Sequence, residues 1–449
     1  MVTWTDKEQL VEQQLVELGP RARPAADHNP MRELNRSLVL DAVKTKGPIS
    51  RAAIAKLIPL GKPTVSAIVE GLLIEGLVRE VGVGEVSAAG GRPPVLLDFD
   101  ERSQFAVGVH IGVSRATIVV SDARGHEVAR HVVRTARARP QTVIDHVASG
   151  IRAVLRSSGT PMEGVVAVGV VVPGPTDYDA GVCILAPELG WRDVPVRDLL
   201  SRSLDLPILV HSPGQAAAVA ESVEGAGDGA GDLVLLHAGH GLSVGVLSGG
   251  KVFHGARGTA GQIAHCHVPG ADQPCDCGRA GCLETLTTRP ALRRAVERRI
   301  DAGRATALAH RRGPRRILPA HVAEAAAKGD EVALEAAAET GRHLGLAASW
   351  LVNVFNPDVL VVAGELAGIG EPLMGPLRRA ASELTMAAAW DHVDVRQSKL
   401  TRDTEVRGTV LLALQRAGMP SRTDRTRHAW RAARVAWPAR AARMRKGRG

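Results

Sequence analysis

Four of the chain's five cysteines fall in one stretch, His265 to Glu284, which reads HCHVPGADQPCDCGRAGCLE. Cys275 and Cys277, in C-x-C spacing, can bracket one ion with two thiolates. Gly278 and Gly281 let the backbone fold back, and Cys282 supplies a third corner. A tetrahedral cation needs one more donor. His265 can reach across the loop, and Cys266 and His267 stand beside it as substitutes. The set implied is Cys3His around Zn2+, with His265, Cys275, Cys277 and Cys282 as ligands. Four protein donors leave the ion no open position, so its role would be to order the loop rather than to activate water. A dithiol redox centre would want C-x-x-C at a helix start, and the stretch has none.

Such a loop needs a folded frame, and the composition supplies one. At 449 residues and 45% hydrophobic content, the chain can bury several cores. No run of eighteen apolar residues occurs, and the opening MVTWTDKEQLVEQQL mixes acids and bases where a secretory leader would be apolar, so the expected place is the cytoplasm, away from any membrane. Few clustered cysteines argue against an extracellular disulfide framework. Aromatics make up only 2%, which speaks against a broad base-stacking surface for single strands. The formal charge of +9 sits in an appendage: from Ser421 to Gly449 there are ten Lys or Arg against Asp424 alone. That tail either touches nucleic-acid phosphates or is a flexible basic end without a partner.

Between Met31 and Leu97 the pattern is that of a small reader of duplex DNA. Met31, Leu34, Leu38 and Ala42, joined by Val39 and Val43, form one helical stripe. Ser50 can cap a second helix burying Ile54, Leu57 and Ile58, which stops at Pro59-Leu60-Gly61. A third helix opens near Pro63 with Val65, Ile68, Val69, Leu72 and Leu73 inward. GLVRE and PPVLLDF then read as two strands around the loop VGVGEVSAAGG. The order is that of a winged helix-turn-helix. The outward side of the third helix would offer Lys62, Thr64, Ser66 and Ala67 to the major groove, and Arg92 at the base of the wing would reach a phosphate or the minor groove. The same elements could also form a dimerisation module. One such unit covers few base pairs, so specificity implies a dimer or higher oligomer reading repeated half-sites.

Beyond Asp100 the period changes. Residues 104–122 read as two strands joined at Gly112 to Arg115, followed by EVARHVVRT as a third, a helix near Val143 to Arg156, and strands at Gly164 to Gly174 and Leu206 to Ser212. The pattern restarts at 232–253 and continues in NPDVLVVAG, Asn356 to Gly364. Two α/β halves, each beginning with strand, glycine-marked turn and strand, predict two lobes around a cleft. Neither G-x-G-x-x-G nor a P-loop pattern is present.

The winged helix, the α/β chain and the run GQIAH followed by CDCGRAGCLE together resemble the ROK family of repressors, uncharacterised frames and sugar kinases, in its transcriptional-regulator branch. The resemblance covers roughly residues 31 to 418 and implies a two-lobed actin-like (sugar kinase/ribonuclease H-like) α/β fold, a homodimer or homotetramer, a double-stranded DNA operator, and a sugar or sugar-derived effector in the cleft. Kinase members carry D-x-G-G-T-[KN] in the first lobe; here HIGVSR puts His110 in place of the Asp, Val113 in place of a Gly and Ser114 in place of the Thr. Their N-D-x-N reads HSPG, so Ser212 stands where the general base would be, and G-T-G-I-G reads GHGLS. Without either carboxylate, phosphoryl transfer is not expected. The family's sugar contacts map onto His211, Ser212, Gln262, His265 and Glu284. The layout expected is an extension at 1–30, the winged helix at 31–99, the two-lobed body at 100–420 and the tail at 421–449. Two other readings stay open: an ATP-dependent sugar kinase carrying a DNA-binding head, and a regulator or scaffold without a small ligand.

Overall fold

The computed structural model describes residues 30–85, 93–135, 138–311, 317–400 and 403–416. The basic tail, the extension before residue 30 and Arg92 lie outside the described residues.

Three helices open the described chain: α1 (Pro30–Lys46), α2 (Arg51–Leu57) and α3 (Lys62–Ile74). The Ser50 hydroxyl caps α2 by accepting from the Ala53 amide at 3.2 Å, as the sequence predicts. Strands β1 (Ile49–Ser50), β2 (Val78–Val83) and β3 (Val95–Phe99) form a small antiparallel sheet in the order β1-β3-β2. Its interior holds Val39, Leu40, Val43, Ile54, Val65, Val69, Leu72 and Leu97, all fully buried. The α1 stripe is shorter than the sequence predicts. Met31 is 63% exposed and Leu34 43%, and full burial begins only at Val39. Leu57, at the last turn of α2, is likewise exposed.

The body repeats one design twice. In the first lobe, β4 (Phe105–Ile111), β5 (Arg115–Asp122) and β6 (Glu127–Arg134) form an antiparallel meander, and β7 (Val165–Val171) and β11 (Ile208–His211) add in parallel on the other side of β4, giving β11-β7-β4-β5-β6. In the second lobe, β12 (Leu233–Ala238), β13 (Leu242–Ser248) and β14 (Lys251–Val252) form the meander, with β15 (Val359–Ala363) and β16 (Asp394–Gln397) parallel to β12 in the order β14-β13-β12-β15-β16. The restart read in the sequence is thus a true duplication of topology. Each sheet is covered on its faces, so its central strands are continuous apolar runs such as VVAVGVV and VLVVA.

Helix α4 (Pro140–Ser158) packs its Val143, Ile144, Val147, Ile151 and Leu155 face on the first sheet. A small antiparallel sheet, β8 (Thr176–Asp177), β9 (Val182–Ala186) and β10 (Trp191–Val194), caps the ends of its parallel strands. The second lobe is covered by α6 (Glu331–Phe355) lying against α7 (Glu371–Leu384). Two further helices cross between the lobes: α5 (Pro213–Val223), which follows β11 yet packs on β12 and β13, and α8 (Thr404–Arg416), which follows the second lobe yet packs on β4 and β7. No helix among the described residues is long and apolar enough to span a membrane.

Candidate functional site

The strand ends of both lobes converge on one cleft of about 740 Å³. The first lobe contributes His110, Gly112 and Val113 from the β4–β5 turn, Pro173 to Pro175 after β7, Glu188, and Ser212 at the start of α5. The second contributes His237 and the turn from His240 to Ser243, then Gln262, His265, Glu284 and Arg294. Turns beyond strand ends are where open α/β sheets gather ligands.

The cleft floor is imidazole-rich. His110 at the end of β4 is half-buried, and its desolvation lowers its pKa from the ordinary imidazole value against the opposing pull of Glu405 and Asp403. His237 at the end of β12 faces Glu405 of α8, Nε2 to Oε1 at 3.7 Å. At the mouth, His240 Nε2 meets Glu188 Oε1 of the opposite lobe at 3.1 Å, and Arg289 approaches its Nδ1 at 3.0 Å. Ser212 is 5% exposed, and its amide donates to Gln215 Oε1 at 3.3 Å. No carboxylate stands at residue 110 or 212 to bind magnesium or take a proton from a hydroxyl.

Of the five residues expected to face a ligand, Ser212, Gln262, His265 and Glu284 line the cleft. His211 does not. It is 1% exposed and lies behind the wall, 5.2 Å from the Tyr178 ring, which in turn stacks on His254 at 4.0 Å. Both ring nitrogens of His211 are buried without a hydrogen-bond partner. Burial, followed by the neighbouring His254 and Arg197, brings its pKa down to about 3. The chain's single tyrosine and the loop after β14 make this ring stack, and nothing local to His211 signals them.

The cysteine loop forms one wall. Ligand atoms of His265, Cys275, Cys277 and Cys282 all lie within 4.8 Å of one another. His265 Nδ1 is 3.7 Å from Cys275 Sγ, and the sulfurs of Cys277 and Cys282 are 3.6 Å apart. A tetrahedral zinc site with bonds of about 2.3 Å to sulfur and about 2.0 Å to nitrogen has S···S edges of about 3.8 Å and S···N edges of about 3.5 Å, so the donor set fits that ion. The sulfur spacing is far too long for a disulfide, which needs about 2.0 Å. Gly278 and Gly281 take φ of +89° and +72°, the left-handed turns that bring Cys282 back toward Cys277. Burial, with thiols close by, pushes the Cys275 thiol up to about 12, so ionising these groups together calls for a compensating cation. Cys266 is exposed and outside the group, and His267 Nδ1 instead lies 3.4 Å from the Ala280 carbonyl, so the fourth donor brought together with the three thiols is His265.

Glu284 joins the loop to the cleft. Its Oε1 accepts from the Leu242 amide at 3.3 Å, and its Oε2 lies 3.6 Å from Cys275 Sγ and 3.9 Å from His265 Nδ1. The carboxylate is therefore held between the cysteine loop and the β12–β13 turn.

At the other end of the chain, α3 buries Val65, Val69 and Leu72 and exposes Lys62, Thr64, Ser66, Ala67 and Glu70, as the sequence predicts. Nothing in the described structure covers that face.

Known proteins resemble the chain over most of its length. A family model described as the ROK family matches residues 106–416. The chain is 28% identical over 389 residues to a putative xylose repressor of Caldicellulosiruptor sp. (strain Rt8B.4), covering 86% of this chain and 97% of that one. It is 27% identical over 371 residues to the DNA-binding transcriptional dual regulator NagC of Escherichia coli (strain K12), covering 82% of this chain and 90% of that one. Among solved structures, a ROK family transcriptional regulator described as a homologue of the E. coli MLC protein aligns with a TM-score of 0.76 at 23% identity, over 88% of this chain and 98% of its own. A ROK family glucokinase from Streptomyces griseus, in complex with glucose and AMPPNP, aligns with a TM-score of 0.60 at 28% identity, over 69% of this chain and 99% of its own.

Proposed function

The chain belongs to the ROK family, and from that premise we propose that it is a DNA-binding transcriptional repressor whose two-lobed body senses a sugar or sugar derivative and does not phosphorylate it. The observation that carries the reading is the uncovered outer face of α3, on a three-helix and hairpin unit that precedes residues 106–416, the span matched by the ROK family model. In this reading the unit is a winged helix-turn-helix. Lys62 at the start of α3 holds a phosphate, and Thr64, Ser66 and Ala67, being small, allow close approach to base edges. Arg92 adds a contact from the wing.

Sensing rests on Gln262, His265, Glu284 and Ser212. Glu284 can accept from two adjacent ring hydroxyls, and Gln262 can both donate and accept. His265, Cys275, Cys277 and Cys282 would hold Zn2+, whose chemistry here is to close the loop and fix the direction of Glu284. Kinase chemistry is disfavoured because His110 and Ser212 offer neither a metal-binding carboxylate nor a general base. Two copies on one operator supply the base pairs that one unit cannot cover.

The test is selection of genomic duplex fragments by the purified protein at fixed salt. Retained fragments are then titrated with D-xylose, N-acetylglucosamine and glucose, alongside an ATP-consumption assay with the same sugars. Enrichment of a two-fold symmetric site, weakened by one of the sugars without ATP turnover, is the expected result. Steady sugar-dependent ATP consumption by a protein that selects no sequence would overturn the reading.

A further inference from the structure

The proposed function leaves open how the cleft and the N-terminal unit communicate, and the packing of α8 supplies a physical route. This helix packs on both lobes and shares an apolar cluster with the N-terminal unit. Its first turn reaches the cleft floor, where Glu405 lines the cavity and meets His237 of the second lobe. Two residues further along the helix, Arg407 pairs with Glu224 at the exit of α5, and just before the helix Asp403 pairs with Arg130 of β6 at 2.8 Å.

The middle of α8 lies against α5 with no side chain between them. A Cβ on Gly408 would overlap the Ala216 carbonyl, so the two backbones are in direct contact at this crossing. Helix α5 is seated on the second sheet in the same way, since a Cβ on Gly214 would overlap the Val244 carbonyl and one on Gly245 would overlap that of Gly214. On its opposite side α8 rests on the first sheet, where Gly108 and Gly169 leave room for Thr409 and Val410. A displacement of the second lobe therefore has to be taken up where α5 crosses α8, because close-packed backbones transmit shifts rather than absorb them.

The sheet-facing side of α8 is also continuous, through the first lobe, with the apolar cluster of the N-terminal unit. Val406, Val410, Ala413 and Leu414 share one continuous cluster with Ala106, Val119 and Ala123 of the first lobe and with Val39, Val43, Leu97 and Phe99 of the N-terminal helices and hairpin. The seam is reinforced by polar contacts. Lys44 donates to the Ala123 carbonyl and Arg124 to the Lys44 carbonyl, each at 3.2 Å, and both cations lie over the Phe99 ring.

We propose that α8 is the element through which the state of the cleft reaches the DNA-reading unit, with Glu405 as its cleft-side contact and the Gly408–Ala216 crossing as its bearing on the second lobe. This rests on the regulator reading above and adds the route. Glu405 is a positioning residue in it: replacing the carboxylate changes how the first turn of α8 sits against His237, and the shared cluster carries that change to α1 and β3.

The experiment compares amide hydrogen exchange of the full-length wild type, Glu405→Gln and Gly408→Ala. Glu335→Gln, on the second-lobe surface away from the cleft, is the control. In Glu405→Gln the route predicts faster exchange, by about fivefold or more, at residues 39–43 and 97–99, with slow amides in α4 and α6 unchanged. The same variant should shift affinity for the selected operator by about threefold or more, and Glu335→Gln should do neither. Gly408→Ala should give the same pattern more strongly; if it does not fold, Glu405→Gln alone decides. Changes confined to residues 236–242 and 404–408, no change anywhere, or a uniform loss of protection throughout the chain would each overturn the proposal. A wild type that binds no operator would remove the regulator reading, while the exchange pattern would still decide the route.

Discussion

Replacing Cys277 with Ala removes one of four donors whose spacing matches a tetrahedral ion, while deleting only a small, half-buried side chain. The packing lost is therefore minor and the metal lost is the main effect. A site held at a free zinc concentration of 100 times its dissociation constant contributes about 2.7 kcal/mol to whatever structure binds it, and each tenfold loss of affinity removes about 1.4 kcal/mol of that. The loop from Val268 to Gly281 is mostly exposed, and besides the four donors it is ordered by local backbone hydrogen bonds such as Val268 N to Gly281 O and Gly281 N to Gln273 O. The expectation is a fall from about one zinc per chain to below about 0.1, read by elemental analysis after dialysis against a weak chelator. Amide exchange across 268–283 should speed up by about a hundredfold, the equivalent of that 2.7 kcal/mol. Cys266→Ala is the internal control: its thiol lies outside the cluster and its zinc content should equal that of the wild type. Full occupancy in Cys277→Ala, or its loss in Cys266→Ala, would refute the ligand assignment.

Other expectations follow from single contacts. Ser50→Ala removes the cap on α2 and should cost the N-terminal unit about 1 kcal/mol, visible in its chemical denaturation midpoint. Lys62→Ala should weaken binding to all duplexes alike and reduce the slope of log affinity against log salt by about 1, whereas Ser66→Gln should change which sequence is preferred. The neutral, buried His211 sets an acid limb. Its pKa of about 3 in the folded protein lies below the ordinary value, so between pH 6.5 and 3 the unfolded chain binds the extra proton and stability falls as pH is lowered, by up to about 1.4 kcal/mol per pH unit. His254, also held low by burial, adds to the same limb, so His211→Asn should flatten it without abolishing it. A stability profile for His211→Asn that parallels the wild type from pH 7 to 5 would contradict this assignment.

Much of the frame is written locally. The runs around Val107 and Leu235 alternate with glycine-marked turns, so both meanders were readable, and C-x-C with two glycines announced the cysteine corner. Ser50, three residues ahead of an amide it could cap, was readable for the same reason. What was not readable depends on partners distant in sequence. His211 sits at the end of a predicted strand, but its ring neighbours Tyr178 and His254 come from the turn after β8 and from the loop after β14. Met31 and Leu34 share the helical spacing of buried Val39 and Val43, and nothing local marks them as exposed. Strand β16, reading DVRQ, is a short polar edge with no apolar alternation, and β8 is only two residues long. Helix α8 shows Val406, Val410 and Leu414 at helical spacing, yet the sequence does not disclose that it returns to the first lobe or that Gly408 is where two backbones meet.

The central claim is that an operator-reading head is governed by a cleft that has stopped transferring phosphate. It is tested most directly by titrating the selected operator fragment with purified full-length protein at one stated salt concentration, with and without each candidate sugar, in the presence of ATP. The account predicts affinity for that fragment at least about a thousandfold above random duplex, lowered by one sugar while ATP is left intact. Equal affinity for both duplexes, or a sugar response that disappears as ATP is consumed, would contradict it.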